Sequence, residues 1–193
     1  MKLSFSAKAR QATIIQFVYS DEIKKVSPSI ADFKGEKDEV TVRYDGAKTL
    51  VFCGLGEKSE RTDLLLRAAA ARGIQKAIKL KRQDVSLVAP LGSDQAMAAA
   101  CVEGALLGAY SFTKYKKEKP ASLALVELVA SALPNLQMIQ AACDGTNAAR
   151  DHFCSSCHSL FPLLRWGLRM SARTRRAVPR LLAVGHTCNV RSA

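Results

Sequence analysis

The chain has 193 residues, a length that predicts one domain of about 150 residues and an additional segment. Hydrophobic residues make up 48% and charged residues 24%, which argues against a chain that is disordered throughout, and 11 glycines and 6 prolines argue against a collagen-like chain. The sequence lacks an apolar stretch long enough to span a bilayer, and residues 1–19 lack the continuous apolar run of a secretory signal. We therefore expect a cytoplasmic protein without a membrane span.

Strands and helices are predicted to alternate along residues 1–150. β-branched and aromatic runs predict strands, in chain order, at residues 3–5, 12–19, 39–44, 48–53, 85–89 and 122–129. Helical patterns cover residues 62–80, 94–111 and 134–150. Thr62 and Ser93 are the predicted N-caps of the first two helices, and Gly73 is expected to break or kink the first one. The alternation predicts an α/β fold with helices on a largely parallel sheet, and the β-rich start adds an antiparallel edge.

The charge composition and the cysteine content of the sequence both change near Asp151. The net charge of +12 is divided equally between residues 1–150 and the 43 residues that follow, in which seven arginines accompany a single carboxylate. Three of the six cysteines also lie in this last segment, whereas the other three are widely spaced and are expected to be reduced thiols. We therefore predict an α/β domain over residues 1–151. Residues 152–193 form an Arg/Cys-rich tail that we expect to be disordered, irregular or translated out of frame.

Three motifs occur in an order and at spacings similar to those of one enzyme family. Gly54 and Gly56 lie between a strand and an Ala-rich helix. The second and more specific motif contains Glu103, Gly104, Gly108, Tyr110, Phe112, Tyr115 and Lys116, and the third contains Asn147, Arg150 and Asp151. Together they resemble the N-terminal domain of the leucyl aminopeptidase (cytosol aminopeptidase) family, over about residues 1–151.

The resemblance implies a macro-domain-like mixed sheet flanked by helices, followed here by an irregular tail. It also implies metal-dependent removal of N-terminal amino acids from peptides, with two divalent metals (zinc or manganese), in a hexamer. In that family the lysine and the acidic metal ligands lie in a C-terminal domain. This sequence has no lysine after Lys119 and no carboxylate side chain after Asp151. We therefore expect a truncated family member with no catalytic residue, no metal site and no cofactor of its own, inactive by itself.

The glycines of these motifs have a structural interpretation. Gly104 and Gly108 lie one helical turn apart, so we expect them to let their helix approach the sheet closely. Gly54 and Gly56 also suggest a dinucleotide-binding turn, but the third glycine and the downstream acid of that motif are missing. We interpret the pair as a tight turn between a strand and a helix.

The tail contains cysteine and histidine residues that can be ligands. Cys154, Cys157 and His158 have the C-x-x-C-H spacing of c-type haem attachment, and together with His186 and Cys188 they offer enough donors for a zinc site. Haem attachment normally needs an exported protein, and the second half of the zinc set has no familiar spacing. An accidental match, or a disulfide, is the favoured interpretation.

The excess of positive charge gives an alternative function. A stand-alone basic module would bind nucleic acid, or would contact full-length aminopeptidase subunits in a regulatory role. A homo-oligomer is a further expectation from the resemblance. Salt-sensitive DNA binding would favour the alternative, whereas hydrolysis of leucine amides would contradict an inactive chain.

Overall fold

The computed structural model describes residues 1–23, 33–90, 93–115, 117 and 121–171, with side chains described as far as residue 155. Its strands are β1 (Lys2–Ser6), β2 (Thr13–Val18), β3 (Val40–Asp45), β4 (Lys48–Gly54), β5 (Asp84–Val88) and β6 (Leu125–Val129). Its α-helices are α1 (Asp63–Lys79), α2 (Gln95–Gly108) and α3 (Leu136–Ser171), and short 3-10 helices occur at Ser20–Glu22 and Lys58–Glu60.

The strands form one sheet in the order β1-β6-β5-β2-β4-β3. All neighbouring strands are parallel except β3, which pairs with β4 in an antiparallel hairpin. The predicted α/β fold with a largely parallel sheet and an antiparallel edge is therefore confirmed. The register places Ile14 of β2 opposite Ser86 of β5 on one side and Leu50 of β4 on the other.

The main core lies between the sheet and helices α1 and α2. Alternate strand residues such as Ile15, Val51 and Leu87 are fully buried there. Helix α3 contributes Ile139 and Cys143 to the same core. A smaller cluster on the opposite face of the sheet contains Val18, Phe33 and Phe52.

Helix α1 continues through Gly73, where the sequence predicted a break or a kink. The reason is close packing: a Cβ at Gly73 would lie 2.8 Å from Ile15 and 2.9 Å from Cys53. The absence of a side chain therefore allows the helix to lie directly on β2 and β4, which outweighs the low helix propensity of glycine.

The N-cap of α2 is Asp94 and not Ser93 as predicted. Oδ1 of Asp94 accepts a 2.8 Å hydrogen bond from the backbone N–H of Met97. Ser93 has its Oγ buried without a described hydrogen-bond partner. Serine and aspartate can both cap a helix, so the sequence alone does not show which of these two adjacent residues is the N-cap.

Gly104 and Gly108 approach helix α1, and the prediction that they face the sheet is wrong. A Cβ at Gly104 would overlap the carbonyl oxygen of Arg67, and one at Gly108 would lie 2.6 Å from Cα of Ala71. The two glycines therefore set the close crossing of α1 and α2.

Helix α3 ends at Ser171, whereas the sequence predicted an end at Arg150 followed by an irregular tail. Residues 152–171, expected to be irregular, are thus helical, and residues 172–193 lie outside the described residues. Residues 151–161 contain no glycine or proline, so nothing stops the helix at Asp151. The chain separates into two compact units, Met1–His152 and Phe153–Ala193.

Candidate functional site

The motif that begins at Glu103 starts on the last turns of α2 and is held to α1. The carboxylate of Glu103 forms an ion pair with the guanidinium of Arg67. Gly104 and Gly108 lie on the same side of α2 and pack against the backbone of α1. These residues fix the direction in which α2 ends.

Tyr110 follows α2 and contacts helix α3, 41 residues further along the chain. Its hydroxyl donates a 2.7 Å hydrogen bond to Oδ1 of Asp151. The guanidinium carbon of Arg150 lies 5.5 Å from the centroid of the Tyr110 ring, a cation–π distance. Two motifs that are distant in sequence thus meet in the folded chain.

Arg150 also reaches the backbone of α2. Its Nη1 donates to the carbonyl oxygen of Leu107 at 3.4 Å and to Oδ1 of Asn147 at 3.3 Å. The Leu107 carbonyl is one of those left unpaired at the end of α2, which a cation at this position satisfies. We call Leu107, Tyr110, Asn147, Arg150 and Asp151 the α2–α3 joint.

The remaining aromatic residues of the motif form a separate pair. The ring centroids of Phe112 and Tyr115 lie 5.6 Å apart in an edge-to-face arrangement. Nζ of Lys114 lies 5.8 Å from the Tyr115 centroid. Lys116, the last predicted residue of this motif, lies outside the described residues.

Gly54 and Gly56 form a tight turn at the end of β4. A Cβ at Gly54 would overlap the carbonyl oxygen of Glu36, and Gly56 has a φ of 78°, which favours glycine. The N–H of Gly56 donates to the Gly35 carbonyl at 2.9 Å. The turn is therefore filled by the chain's own backbone, and it leaves no space for a phosphate between these groups.

A buried carboxylate that the sequence analysis missed lies on β6, the second strand from one edge of the sheet. Glu127 in β6 is only 4% exposed. Its Oε2 accepts hydrogen bonds from Ser86 Oγ at 2.6 Å and from the backbone N–H of Arg10 at 2.9 Å, and Ser86 Oγ accepts from the N–H of Gln11 at 3.2 Å. This network fixes the loop between β1 and β2. The sequence feature that could have revealed this buried carboxylate is a charged residue within the apolar run of β6.

The cysteines of the first unit are structural. Cys53, Cys101 and Cys143 are free and buried, and burial raises the pKa of the Cys53 thiol to about 12. Burial also raises the pKa of the Cys101 thiol and that of the Cys143 thiol. These thiols are therefore protonated at neutral pH and are poor metal ligands or nucleophiles.

The predicted tail ligands are only partly described. Cys154 is a half-buried free thiol on α3, and Cys157 and His158 lie on the same helix with side chains outside the description. His186 and Cys188 lie outside the described residues. The described part of the chain contains no group of three or more His, Cys, Asp or Glu side chains that fits a metal ion. Among the described helices, none is both long and apolar enough to cross a membrane.

Comparison with known sequences identifies the family of this chain. A sequence model of the cytosol aminopeptidase family, N-terminal domain, matches residues 21–119. A probable cytosol aminopeptidase from Roseiflexus castenholzii is 35% identical over 137 residues, covering 62% of this chain and 28% of that protein. Another from Desulfotalea psychrophila is 31% identical over 125 residues, covering 53% and 25%. The chain therefore spans about a quarter of the length of these curated relatives.

Solved structures show the same fold. The bottromycin maturation enzyme BotP superimposes with a TM-score of 0.56 at 21% identity, covering 74% of this chain and 32% of that one. A mutant leucine aminopeptidase from tomato gives 0.58 at 13% identity, covering 76% and 36%. At these identities the likeness concerns the fold alone.

Proposed function

Because the chain belongs to the cytosol aminopeptidase family, through the N-terminal domain that its residues 21–119 match, we propose that its α/β domain is a non-catalytic part of a metal-dependent aminopeptidase. The chain by itself then does not hydrolyse peptides. Its α/β domain holds the part of α3 that ends at Asp151 against the end of α2.

The α2–α3 joint is the observation that carries this proposal. Both motifs that resemble the family direct their described polar side chains to protein groups: Glu103 to Arg67, Tyr110 to Asp151 and Arg150 to the Leu107 carbonyl. A hydrolytic site needs polar groups that converge on a substrate or on a metal-bound water. These residues instead hold one helix against another, which is a scaffolding task.

The two divalent metals expected of the family do not fit the described residues. The carboxylates of the joint and of α2 are paired with tyrosine and arginine, and the buried thiols are protonated at neutral pH. No donor set of the required size occurs among the described side chains. We therefore derive no catalytic step from this chain, and we assign hydrolysis to the part of the relatives that the chain does not match.

We further propose that the functional boundary lies at Asp151. Residues 1–151 form the family-like domain, and residues 152–193 form an attached Arg/Cys-rich segment. The joint supports this boundary because Asp151 is the last residue of the family-like motif and still contacts Tyr110.

A peptidase assay tests the proposal. The purified full chain is incubated with leucine p-nitroanilide, with and without added Mn²⁺ or Zn²⁺, beside a full-length cytosol aminopeptidase as positive control. We expect no turnover above a mock purification from cells without the gene. Metal-dependent turnover that rises with the amount of chain and follows the chain through size-exclusion chromatography would overturn the proposal.

A further inference from the structure

Strand β1 forms one edge of the sheet. It pairs with β6 on one side, and none of the described strands pairs with its other side. The N–H of Lys2 donates to the carbonyl oxygen of Ala124 at 2.8 Å, so alternate residues of β1, counted from Lys2, bond to β6. The N–H and C=O groups of Leu3 and Phe5 therefore point to the open edge.

A groove lies beside this edge, between β1 and the first turns of α3. Its volume is about 450 Å³, and it is lined by the side chains of Leu3, Leu136, Gln137, Gln140, Ala141 and Asp144. Leu3 is half-buried and packs on the main core, whereas Phe5, on the same face of β1, is 41% exposed. The helix-side face of the edge is therefore apolar and only partly covered.

The groove also contains a carboxylate, that of Asp144. Both of its oxygens accept from Nε2 of Gln140 at 3.3 Å. The ion pairs among the described residues bring no lysine or arginine to Asp144. An aliphatic side chain that ends in a cation can lie on Leu3 and Leu136 and reach this carboxylate with its charged end. The groove thus favours lysine or arginine over an acidic residue.

The charges around β1 disfavour a second copy of this chain at the edge. The strand is five residues long, and Lys2 and Lys8 flank its exposed part. Short edge strands with lysines resist pairing with one another, and two copies of net charge +12 repel. The occupant that these charges allow is a segment of a different protein.

We propose that β1 binds an extended segment of a partner protein, which adds a strand to the sheet. The backbone of the segment pairs with the N–H and C=O groups of Leu3 and Phe5, which repeat at every second residue as a strand requires. A lysine or arginine of the segment occupies the groove beside Asp144. In such strand addition the main-chain hydrogen bonds provide affinity and the side-chain groove provides selectivity. This binding does not depend on whether the chain hydrolyses peptides.

Amide hydrogen exchange of the full chain, followed by NMR, tests the added strand. The probe is the peptide acetyl-Thr-Val-Thr-Lys-Thr-Val-Thr-amide, whose lysine and valines share one face of a strand. With the peptide at millimolar concentration we expect exchange of the Leu3 and Phe5 amides to slow at least tenfold, and that of Leu66 in α1 to stay unchanged. Unchanged exchange at Leu3 and Phe5, or equal slowing along the other edge strand β3, overturns the proposal.

Phe5→Pro tests the backbone contact. Proline removes the N–H that points to the open edge, and no hydrogen bond to β6 is lost. We expect the peptide to leave the Leu3 amide of this variant unprotected, while thermal unfolding shows that the domain is still folded. Full protection of Leu3 in the folded variant would contradict strand addition at this edge.

Asp144→Asn tests the groove without a change in the backbone. The amide keeps the size of the side chain and removes its charge, so we expect the lysine peptide to bind about two- to fivefold more weakly. Asp45→Asn is the matched control, since Asp45 is an exposed carboxylate at the other edge of the sheet. A peptide with glutamate in place of lysine should also bind more weakly. Equal effects of the two substitutions, or equal binding of the two peptides, overturns the assignment of the groove.

Discussion

Tyr110 and Asp151 are joined by a 2.7 Å hydrogen bond from the tyrosine hydroxyl to Oδ1 of the carboxylate. The first residue follows α2 and the second lies on α3, so the bond connects two helices that the chain separates by a strand and its loops. The Arg150 guanidinium stacks on the same tyrosine ring, which makes the ring the centre of the joint. The joint thus connects the end of α2 to the part of α3 that contains Arg150 and Asp151.

Replacing Tyr110 with phenylalanine tests this coupling. The substitution keeps the ring and its contact with Arg150 but removes the hydroxyl donor. Because the bond is near the surface, we expect the free energy of unfolding to fall by about 0.5–1.5 kcal/mol, measured by urea denaturation. Tyr44→Phe is the matched control, since Tyr44 is 62% exposed. Equal effects at the two positions would argue against a role for the hydroxyl in the joint.

Gly104→Ala tests the close crossing of α1 and α2. The new Cβ would overlap the carbonyl of Arg67 and lie 2.8 Å from Cβ of Ala70, so the helices must separate. We expect a loss of about 1–3 kcal/mol in the free energy of unfolding. Gly145→Ala is the control, because space there is open and alanine favours a helix over glycine by about 1 kcal/mol.

The two glycine substitutions are therefore predicted to shift stability in opposite directions. Thermal or urea unfolding measures both effects. A stabilised Gly104→Ala variant would show that the helices do not pack as closely as described.

The elements and the joint differ in how far the sequence could specify them. The strands could be predicted because a run of β-branched and aromatic residues favours a strand through local interactions, as in β2. The element that Gly104 packs against could not be predicted, because the same spacing of glycines suits packing against a sheet or against another helix. The Leu107 carbonyl was also missed, since every residue has one and only the fold brings Arg150 to it. The extension of α3 beyond Arg150 was missed because a change of composition does not by itself end a helix.

Glu127→Gln tests the buried network of β6. The amide keeps the size of the side chain, and its oxygen can take the place of Oε2, which accepts from both the Ser86 hydroxyl and the Arg10 N–H. The substitution therefore keeps both hydrogen bonds but removes the charge that strengthens them. A hydrogen bond to a charged acceptor contributes about 1.5–3 kcal/mol and one to a neutral acceptor about 0.5–1.5 kcal/mol, so we expect the free energy of unfolding to fall by about 1–3 kcal/mol, measured by chemical denaturation. Glu60→Gln, in an exposed 3-10 helix, is expected to change stability by less than about 0.5 kcal/mol.

Hydrogen exchange locates the effect of the same substitution. The amides of Arg10 and Gln11 donate to the network, so their protection should fall more than that of Leu66 in α1. Uniform loss of protection along the chain would mean that Glu127 stabilises the whole fold and does not hold this loop in particular.

The buried thiol of Cys53 makes stability depend on alkaline pH. Its pKa is raised to about 12 by burial in the folded chain, whereas an unfolded cysteine ionises near about 8.5. The folded state therefore favours the protonated thiol, and the stabilisation is complete below the unfolded pKa. It is lost as the pH rises towards 12, because the unfolded chain releases the proton more easily.

Urea unfolding at pH 7 to 10.5 should show this decline in the free energy of unfolding. In the Cys53→Ala variant the slope of the decline with pH should be smaller by the equivalent of about one proton. Cys154→Ala, at a half-buried position, serves as the comparison. An unchanged slope in the Cys53→Ala variant would mean that the thiol is open to solvent, contrary to its place under α1.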